Sequence, residues 1–172
     1  YVGATVASER TAAQVGAIGE VRRDPMAMLP FCGYNMGDYF GHWLEMGANI
    51  PKPPKILHVN WFRKGADGKF LWPGYGENLR VLEWILARTR GEGKAVKTPI
   101  GYTPTPDAID LTGLSLPAGV MEKLLEVRPE EWTAELGDVK KFFDQFGAKL
   151  PEEMRRQLDA LKDRLQTKVG AA

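Results

Sequence analysis

The chain is poor in the residues that build disulfides and metal centres, because its 172 residues include one cysteine, Cys32, and two histidines. A single thiol cannot form an internal disulfide or a multi-thiolate zinc site. The net charge is only +1, from 23 Lys and Arg against 22 Asp and Glu, which argues against binding a nucleic-acid backbone by counterion release. No stretch approaches the roughly 18 consecutive apolar residues of a membrane span. We therefore expect a cytoplasmic protein that binds neither membranes nor nucleic acid.

Glycine and proline are plentiful, at 19 and 12 residues, so many turns and loops are expected. The apolar fraction of 44% and the charged fraction of 26% are typical of a globular rather than a disordered chain. Residues 1–7 are mostly small or β-branched, a pattern that favours a buried strand. Because the chain begins without Met and directly with this pattern, we expect it to be a piece of a longer protein.

Hydrophobic spacing predicts a mixed α/β fold with a helical C-terminal end. A helix is expected over residues 36–47, with Asn35 as its N-cap. Another is expected over about 77–90, and apolar residues on more than half of its circumference predict substantial burial. Residues 91–118 are expected to be loop-rich with short extended pieces. The helical C-terminal end, residues 117–168, is predicted to contain helices at about 117–126, 130–146 and 151–168.

Aromatic residues concentrate around a predicted hairpin. Residues 56–60 favour a strand, and the sequence GADG at 65–68 is typical of a turn between two further extended segments. The aromatic residues of this region are Trp61, Phe62, Phe70, Trp72 and Tyr75. Such side chains either sandwich a planar base or form cross-strand pairs over a core, and their spacing alone favours the second interpretation. In the first, an amide such as that of Asn78 would read the edge of the base.

The segment 8–20 contains two glycines and, apart from Val15 and Ile18, no apolar side chain larger than alanine. Few contacts would hold such a segment in place, so it could order and disorder at little cost. Composition alone leaves two alternatives open, a short Ala-rich helix and a mobile lid.

Several longer runs point to one family. They are SERTAA at 8–13, DPMAMLPFCGYN at 24–35, HVNWFRK at 58–64, GKFLWPGYGEN at 68–78 and TPIGY at 98–102. In these runs the chain resembles the GTP-dependent phosphoenolpyruvate carboxykinases, from Tyr1 almost to its end. The resemblance implies that residues 1–172 are part of the C-terminal nucleotide-binding domain of the carboxykinase fold.

The resemblance also implies a guanine pocket in a hairpin and loop at residues 56–78. The residues that it assigns to GTP binding are Trp61, Phe62, Phe70, Tyr75, Gly76, Glu77 and Asn78. Phe62, Phe70 and Tyr75 would form the aromatic walls, while Asn78 would read the base edge. The family more often has Phe where this chain has Tyr75, and a Tyr retains a face for stacking.

A mobile lid is implied for about residues 8–19. Its motif comprises Ser8, Glu9, Arg10, Thr11, Ala12 and Ala13. Closure of such a lid would exclude water and hold a reactive enolate until it is phosphorylated. Val6 and Ala7 depart from the family, some members of which have Met-Arg at these positions.

The implied activity of the complete enzyme is the conversion of oxaloacetate and GTP to phosphoenolpyruvate, carbon dioxide and GDP. It implies a lyase of gluconeogenesis that decarboxylates its substrate, uses Mn²⁺ or Mg²⁺ and acts as a cytoplasmic monomer. The sequence has no Gly-x-x-x-x-Gly-Lys-Ser/Thr phosphate loop. We therefore expect the phosphate loop, the metal ligands and the substrate arginines before Tyr1, with no catalytic or metal residue in this chain. Cys32 is not the family's reactive cysteine, and His42 and His58 do not match its metal ligands.

Two other functions are compatible with the same residues. A stand-alone module that binds guanine nucleotides without catalysis would use an identical pocket. Binding of single-stranded nucleic acid through the aromatic cluster is a third possibility, disfavoured by the net charge of +1.

Overall fold

The computed structural model describes residues 1–9 and 21–167, and the described chain mixes helices with short strands. The elements, in chain order, are α1 (Val2–Thr5), β1 (Ala7–Glu9), β2 (Val21–Arg23), α2 (Met36–Asn49), α3 (Asn78–Arg90), β3 (Ala95–Thr98), β4 (Gly101–Pro104), α4 (Val120–Leu125), α5 (Pro129–Asp144) and α6 (Glu152–Gln166). The predicted mixed α/β class is confirmed. The described residues contain no helix of the length and apolarity that crossing a membrane requires.

The described chain divides into two units, one built from residues 1–9, 21–58 and 129–167 and the other from 59–128. The first unit has α2, α5 and α6 around a core of large apolar side chains. Its most deeply buried members are Phe40, Phe143, Met36, Met154 and Val139. Helix α2 begins as predicted, because the side-chain oxygen of Asn35 accepts a hydrogen bond from the backbone N–H of Gly37 at 2.8 Å.

The predicted strand over residues 1–7 is wrong. Residues 2–5 instead form the helical turn α1, since the backbone N–H groups of Ala4 and Thr5 both donate to the carbonyl of Tyr1, at 3.0 and 3.1 Å. The small side chains allow close packing, and a Cβ atom on Gly3 would lie 3.2 Å from the side chain of Met26. Local hydrogen bonds and packing thus override the β propensity of the segment.

Two antiparallel pairs contain all the named strands of the described residues. In the first unit β1 pairs with β2, with Ser8 opposite Arg22. In the second unit β3 pairs with β4, with Val96 opposite Thr103. The second pair confirms the short extended pieces expected within 91–118.

The predicted strand at 56–60 is wrong, and the predicted hairpin after it is reduced to a single bridge between Lys64 and Phe70. The backbone N–H of Phe62 donates to the side-chain oxygen of Asn60 at 2.9 Å. This local turn competes with the extension of a strand through residue 60. The turn at 65–68 does form, because Gly68 N–H donates to the carbonyl of Gly65 at 3.0 Å.

Helix α3 is less buried than its composition predicted. Trp84 is buried, and Val81 and Ile85 pack beside it on the core of the second unit. The exposed side chains are Leu79, Leu82 and Leu86, at 64%, 43% and 55%. Their spacing of three and four residues places them on another face of the helix, which the described residues of this unit do not cover.

Gly37 is the position in α2 where a side chain is least tolerated. A Cβ atom there would lie 2.6 Å from the backbone carbonyl oxygen of Lys149. We predict that Gly37→Ala lowers the free energy of unfolding by roughly 1–3 kcal/mol, measured by urea denaturation of the purified chain.

Gly47→Ala is the matched control in the same helix, since a Cβ atom there meets nothing within 4 Å. It should raise the free energy of unfolding by about 0.5–1 kcal/mol, because alanine loses less backbone entropy on folding. Equal effects of the two substitutions would contradict the close contact at Gly37.

Candidate functional site

Two exposed phenylalanines stand side by side in the second unit. Phe62 precedes the turn at 65–68 and Phe70 follows it, with their ring centroids 5.9 Å apart and the rings inclined at 65°. The side chains are 69% and 56% exposed. The predicted walls Phe62 and Phe70 are therefore together at the surface, where both rings can contact a planar ligand.

Lys64 adds a positive charge to this aromatic pair. Its ammonium nitrogen lies 5.3 Å from the centroid of the Phe70 ring, within the range of a cation–π contact. The bridge between Lys64 and Phe70 produces this juxtaposition. The resemblance does not assign Lys64 to the site. The predicted turn between Lys64 and Phe70 is the sequence signal for their contact, which depends on the register across that turn.

The loop after the phenylalanines presents Tyr75 to solvent. Gly74 has φ 128° and ψ −169°, a conformation that favours glycine, and a 3-10 turn follows at Tyr75–Glu77. The Tyr75 side chain is 92% exposed. A Cβ atom on Gly76 would meet nothing within 4 Å, so the space beside this backbone is open. Within the described residues, Tyr75 makes no ring contact with Phe62 or Phe70, so the structure brings together two of the three predicted walls.

Asn78 is tied to the core of the second unit. The indole N–H of Trp72 donates to its Oδ1 at 2.9 Å. Trp72 is 5% exposed and lies in a cluster with Trp84, Ile109 and Met121, and Trp61 packs against the same cluster. The ring centroids of Trp61 and Trp72 are 6.1 Å apart. Trp61, assigned to GTP binding by the resemblance, thus contacts this core.

Glu77 is held in an ion pair at the start of α3. Its Oε2 accepts from the Arg80 Nε–H at 2.6 Å, and the same guanidinium donates to the carbonyls of Asp110 at 2.7 Å and Thr112 at 3.0 Å. The Thr112 hydroxyl lowers the pKa of Asp110, aided by the Thr112 backbone N–H, which donates to Oδ1 at 2.8 Å. Arg80 therefore links the first turn of α3 to residues 110–112, a link that the sequence signalled only by the spacing of Glu77 and Arg80.

Arg63 anchors the segment before the turn at 65–68 by hydrogen bonds to the backbone. Its NH1 group donates to the backbone carbonyls of Leu124 at 3.2 Å and Glu126 at 2.7 Å. These bonds connect the segment that carries Phe62 to the end of α4. These contacts give Arg63 a structural role.

The predicted lid begins in the first unit. Ser8 lies on β1, and its hydroxyl donates to Oδ2 of Asp24 at 3.0 Å. Asp24 is 4% exposed, and its Oδ1 accepts from the backbone N–H of Leu29 at 3.2 Å. Glu9 ends β1, whereas Arg10, Thr11, Ala12, Ala13 and the remainder of the predicted lid lie outside the described residues.

Comparison with known families matches residues 1–164 to the family described as the phosphoenolpyruvate carboxykinase C-terminal P-loop domain. The chain belongs to this family. Similar curated proteins are named phosphoenolpyruvate carboxykinase [GTP]. Examples are those of Neocallimastix frontalis, 53% identical over 168 residues, Paenarthrobacter aurescens, 50% over 167, and Thermoplasma volcanium, 47% over 165.

These alignments cover 96% of this chain but 28% of each of the three relatives. The matched domain is named for a P-loop, a motif that these 172 residues do not contain. The match of the chain to this C-terminal domain confirms the resemblance that the sequence motifs indicate.

The carboxykinase resemblance implied a divalent metal ion. In residues 1–9 and 21–167, no group of three or more His, Cys, Asp or Glu side chains is arranged to hold one. His42 is exposed and stacks on the ring of Tyr39, with centroids 6.0 Å apart. The described residues do not fit a metal site, so the function proposed below includes no metal-dependent step on this chain.

The Arg80 link should be sensitive to the shape of its side chain. Arg80→Lys replaces a planar guanidinium that reaches three acceptors with an ammonium that cannot reach them in the same arrangement. We predict a loss of about 1–3 kcal/mol in the free energy of unfolding, measured by urea denaturation.

Arg90→Lys provides the control in the same helix. Arg90 is 58% exposed and pairs with Glu92, so its replacement should change stability by less than about 0.5 kcal/mol. A similar small effect for Arg80→Lys would show that the link contributes little to the fold.

Proposed function

We propose that residues 61–78 bind the guanine base of GTP or GDP. The observation that carries the proposal is the exposed ring pair of Phe62 and Phe70, together with the exposed Tyr75 in the loop that leads to the tethered amide of Asn78. Stacking of a base on such rings contributes about 1–3 kcal/mol per base and does not by itself distinguish purines. The polar groups of the loop would supply the distinction.

In the proposed function, the chain supplies the guanine-binding end of a GTP-dependent phosphoenolpyruvate carboxykinase. Such an enzyme converts oxaloacetate and GTP to phosphoenolpyruvate, carbon dioxide and GDP, as a lyase of gluconeogenesis. The names of relatives about 50% identical to this chain support this proposal. The Mn²⁺ or Mg²⁺ ion, the phosphate loop and the oxaloacetate-binding arginines would come from parts of the enzyme outside these 172 residues. We further propose that the enzyme is a cytoplasmic monomer.

Residues 8–19 would act as a lid over the occupied site. Its two ends are joined by the pairing of β1 with β2, and Ser8 is held by the buried carboxylate of Asp24. Because β1 and β2 pair with each other, a change of position of the segment between them would not require this pairing to break. When closed, it would exclude water from the enolate formed by decarboxylation until the γ-phosphoryl group is transferred.

The aromatic contacts can be tested one residue at a time. Phe70→Ala and Tyr75→Ala should each weaken the binding of GDP by about 1–3 kcal/mol, measured by isothermal titration calorimetry on the purified chain. Phe31→Ala is a suitable control, because Phe31 is 86% exposed and belongs to the other unit. Unchanged affinity in both test variants would show that these rings do not contact the base.

The lid can be tested by deleting residues 10–18 from a carboxykinase that contains this chain. We expect GDP affinity to remain within about threefold, whereas formation of phosphoenolpyruvate should fall by at least tenfold, since closure acts on the reaction rather than on base binding. Loss of GDP binding in the deletion variant would instead indicate that the segment is required for the fold of the site.

A further inference from the structure

The hydrogen bond between Trp72 and Asn78 determines which atom of the Asn78 amide a ligand can meet. An indole N–H can only donate, so the amide atom that faces it must be the oxygen. The observed contact joins Trp72 Nε1 to Asn78 Oδ1 at 2.9 Å. In the described part of the chain, no side chain or carbonyl accepts a hydrogen bond from Asn78 Nδ2. The amide is therefore oriented with its oxygen toward Trp72 and with both N–H donors of its NH₂ group left for a molecule beside the loop.

Rotation of the amide by 180° is opposed by the surroundings of Trp72. The indole is 5% exposed, within the cluster that contains Trp84, Ile109 and Met121. After such a rotation, two donors would face each other, and the buried indole N–H would lose its partner. An unsatisfied donor on a buried side chain is costly.

The backbone of Asn78 is also held in place. Its N–H donates to the carbonyl of Tyr75, which closes the 3-10 turn before α3. Two residues later, Arg80 binds both Glu77 and the carbonyls of residues 110 and 112. The position and the orientation of the amide are thus both determined before a ligand arrives, as expected for a preorganised binding group.

This orientation distinguishes guanine from adenine. Guanine has an acceptor, O6, where adenine has a donor, the 6-amino group. An amide whose NH₂ group faces the base can bond to O6 but opposes the 6-amino group. We infer that Trp72 is a positioning residue for base selectivity, which holds Asn78 with its NH₂ group toward the base so that guanine is accepted and adenine rejected. This inference rests on the proposed binding of a guanine base by residues 61–78.

The test compares the affinities for GDP and ADP in the wild-type chain and in Trp72→Phe. Phenylalanine retains an aromatic ring but has no N–H group, so the amide of Asn78 can rotate. The ratio of ADP to GDP dissociation constants should fall by at least about tenfold, the size expected when one buried hydrogen bond no longer discriminates. Circular dichroism of each variant checks that it is folded.

Trp84→Phe is the matched control. Trp84 lies in the same cluster, is 8% exposed, and donates from its Nε1–H to the carbonyl of Lys94 at 2.8 Å, so its replacement also removes one indole hydrogen bond. That bond does not involve Asn78, so the ratio of ADP to GDP dissociation constants should stay within about threefold of the wild type. An equal fall of the ratio in both variants would overturn the inference, since general loosening of the core would explain it.

The outcomes also separate this inference from the proposed function. If the wild-type chain prefers GDP and Trp72→Phe retains that preference, the inference is wrong and guanine binding stands. If the wild-type chain has no preference for GDP over ADP, both are wrong.

A second ligand tests the donor orientation even where Trp72→Phe does not fold. The diphosphate of 2-aminopurine riboside has the 2-amino group of guanine but lacks O6, and it should bind the wild-type chain at least about tenfold more weakly than GDP. Equal affinity would overturn the inference.

Discussion

The hydrogen bond between the buried indole of Trp72 and the half-buried amide of Asn78 serves two requirements of this site, a stable core and an exposed binding surface. One partner belongs to the cluster of Trp84, Ile109 and Met121, and the other lies at the first turn of α3, beside the exposed Tyr75. The loop between them is therefore anchored at both ends. Without that anchor, a segment rich in glycine would lose conformational entropy on binding a nucleotide and would bind it less tightly.

The exposed rings acquire their position from polar contacts rather than from packing. Phe62 follows the local turn made by Asn60. The next residue, Arg63, donates hydrogen bonds to the carbonyls of Leu124 and Glu126. Phe70 is placed by the bridge to Lys64. Exposed groups of large aromatic side chains often mark binding surfaces. Here hydrogen bonds hold the backbone that carries them. This arrangement is what a stacking site for a planar base requires.

Local signals in the sequence predicted several elements well. They are the N-cap Asn35, the start of α3 after the glycine-containing loop, and the last helix, α6. All three depend on neighbours along the chain, and the structure confirms these helices. The failures have another cause. Residues 1–7 and 56–60 have a strand-like composition. A strand forms only where another strand pairs with it, and composition does not show whether such a partner exists. In α3, the apolar residues on both faces predicted burial, whereas the second unit covers only the face of Trp84.

The site itself was predicted in its aromatic residues but not in its supports. Motifs resembling the carboxykinases identified Phe62, Phe70, Tyr75 and Asn78. The roles of Arg80 and Trp72 depend on contacts to carbonyls and amides at other positions in the fold, which residue types alone do not reveal. Lys64 was missed for a similar reason, since its contact with Phe70 depends on the register across a turn.

The central claim is that the guanine base lies on the surface formed by residues 61–78. Its most direct test is a nuclear Overhauser measurement between the H8 and ribose H1′ protons of bound GDP and the aromatic protons of the chain. The account predicts cross-peaks to the rings of Phe62, Phe70 or Tyr75. Cross-peaks confined to aromatic residues of the other unit, such as Phe31 or Tyr34, would place the nucleotide elsewhere and contradict the account.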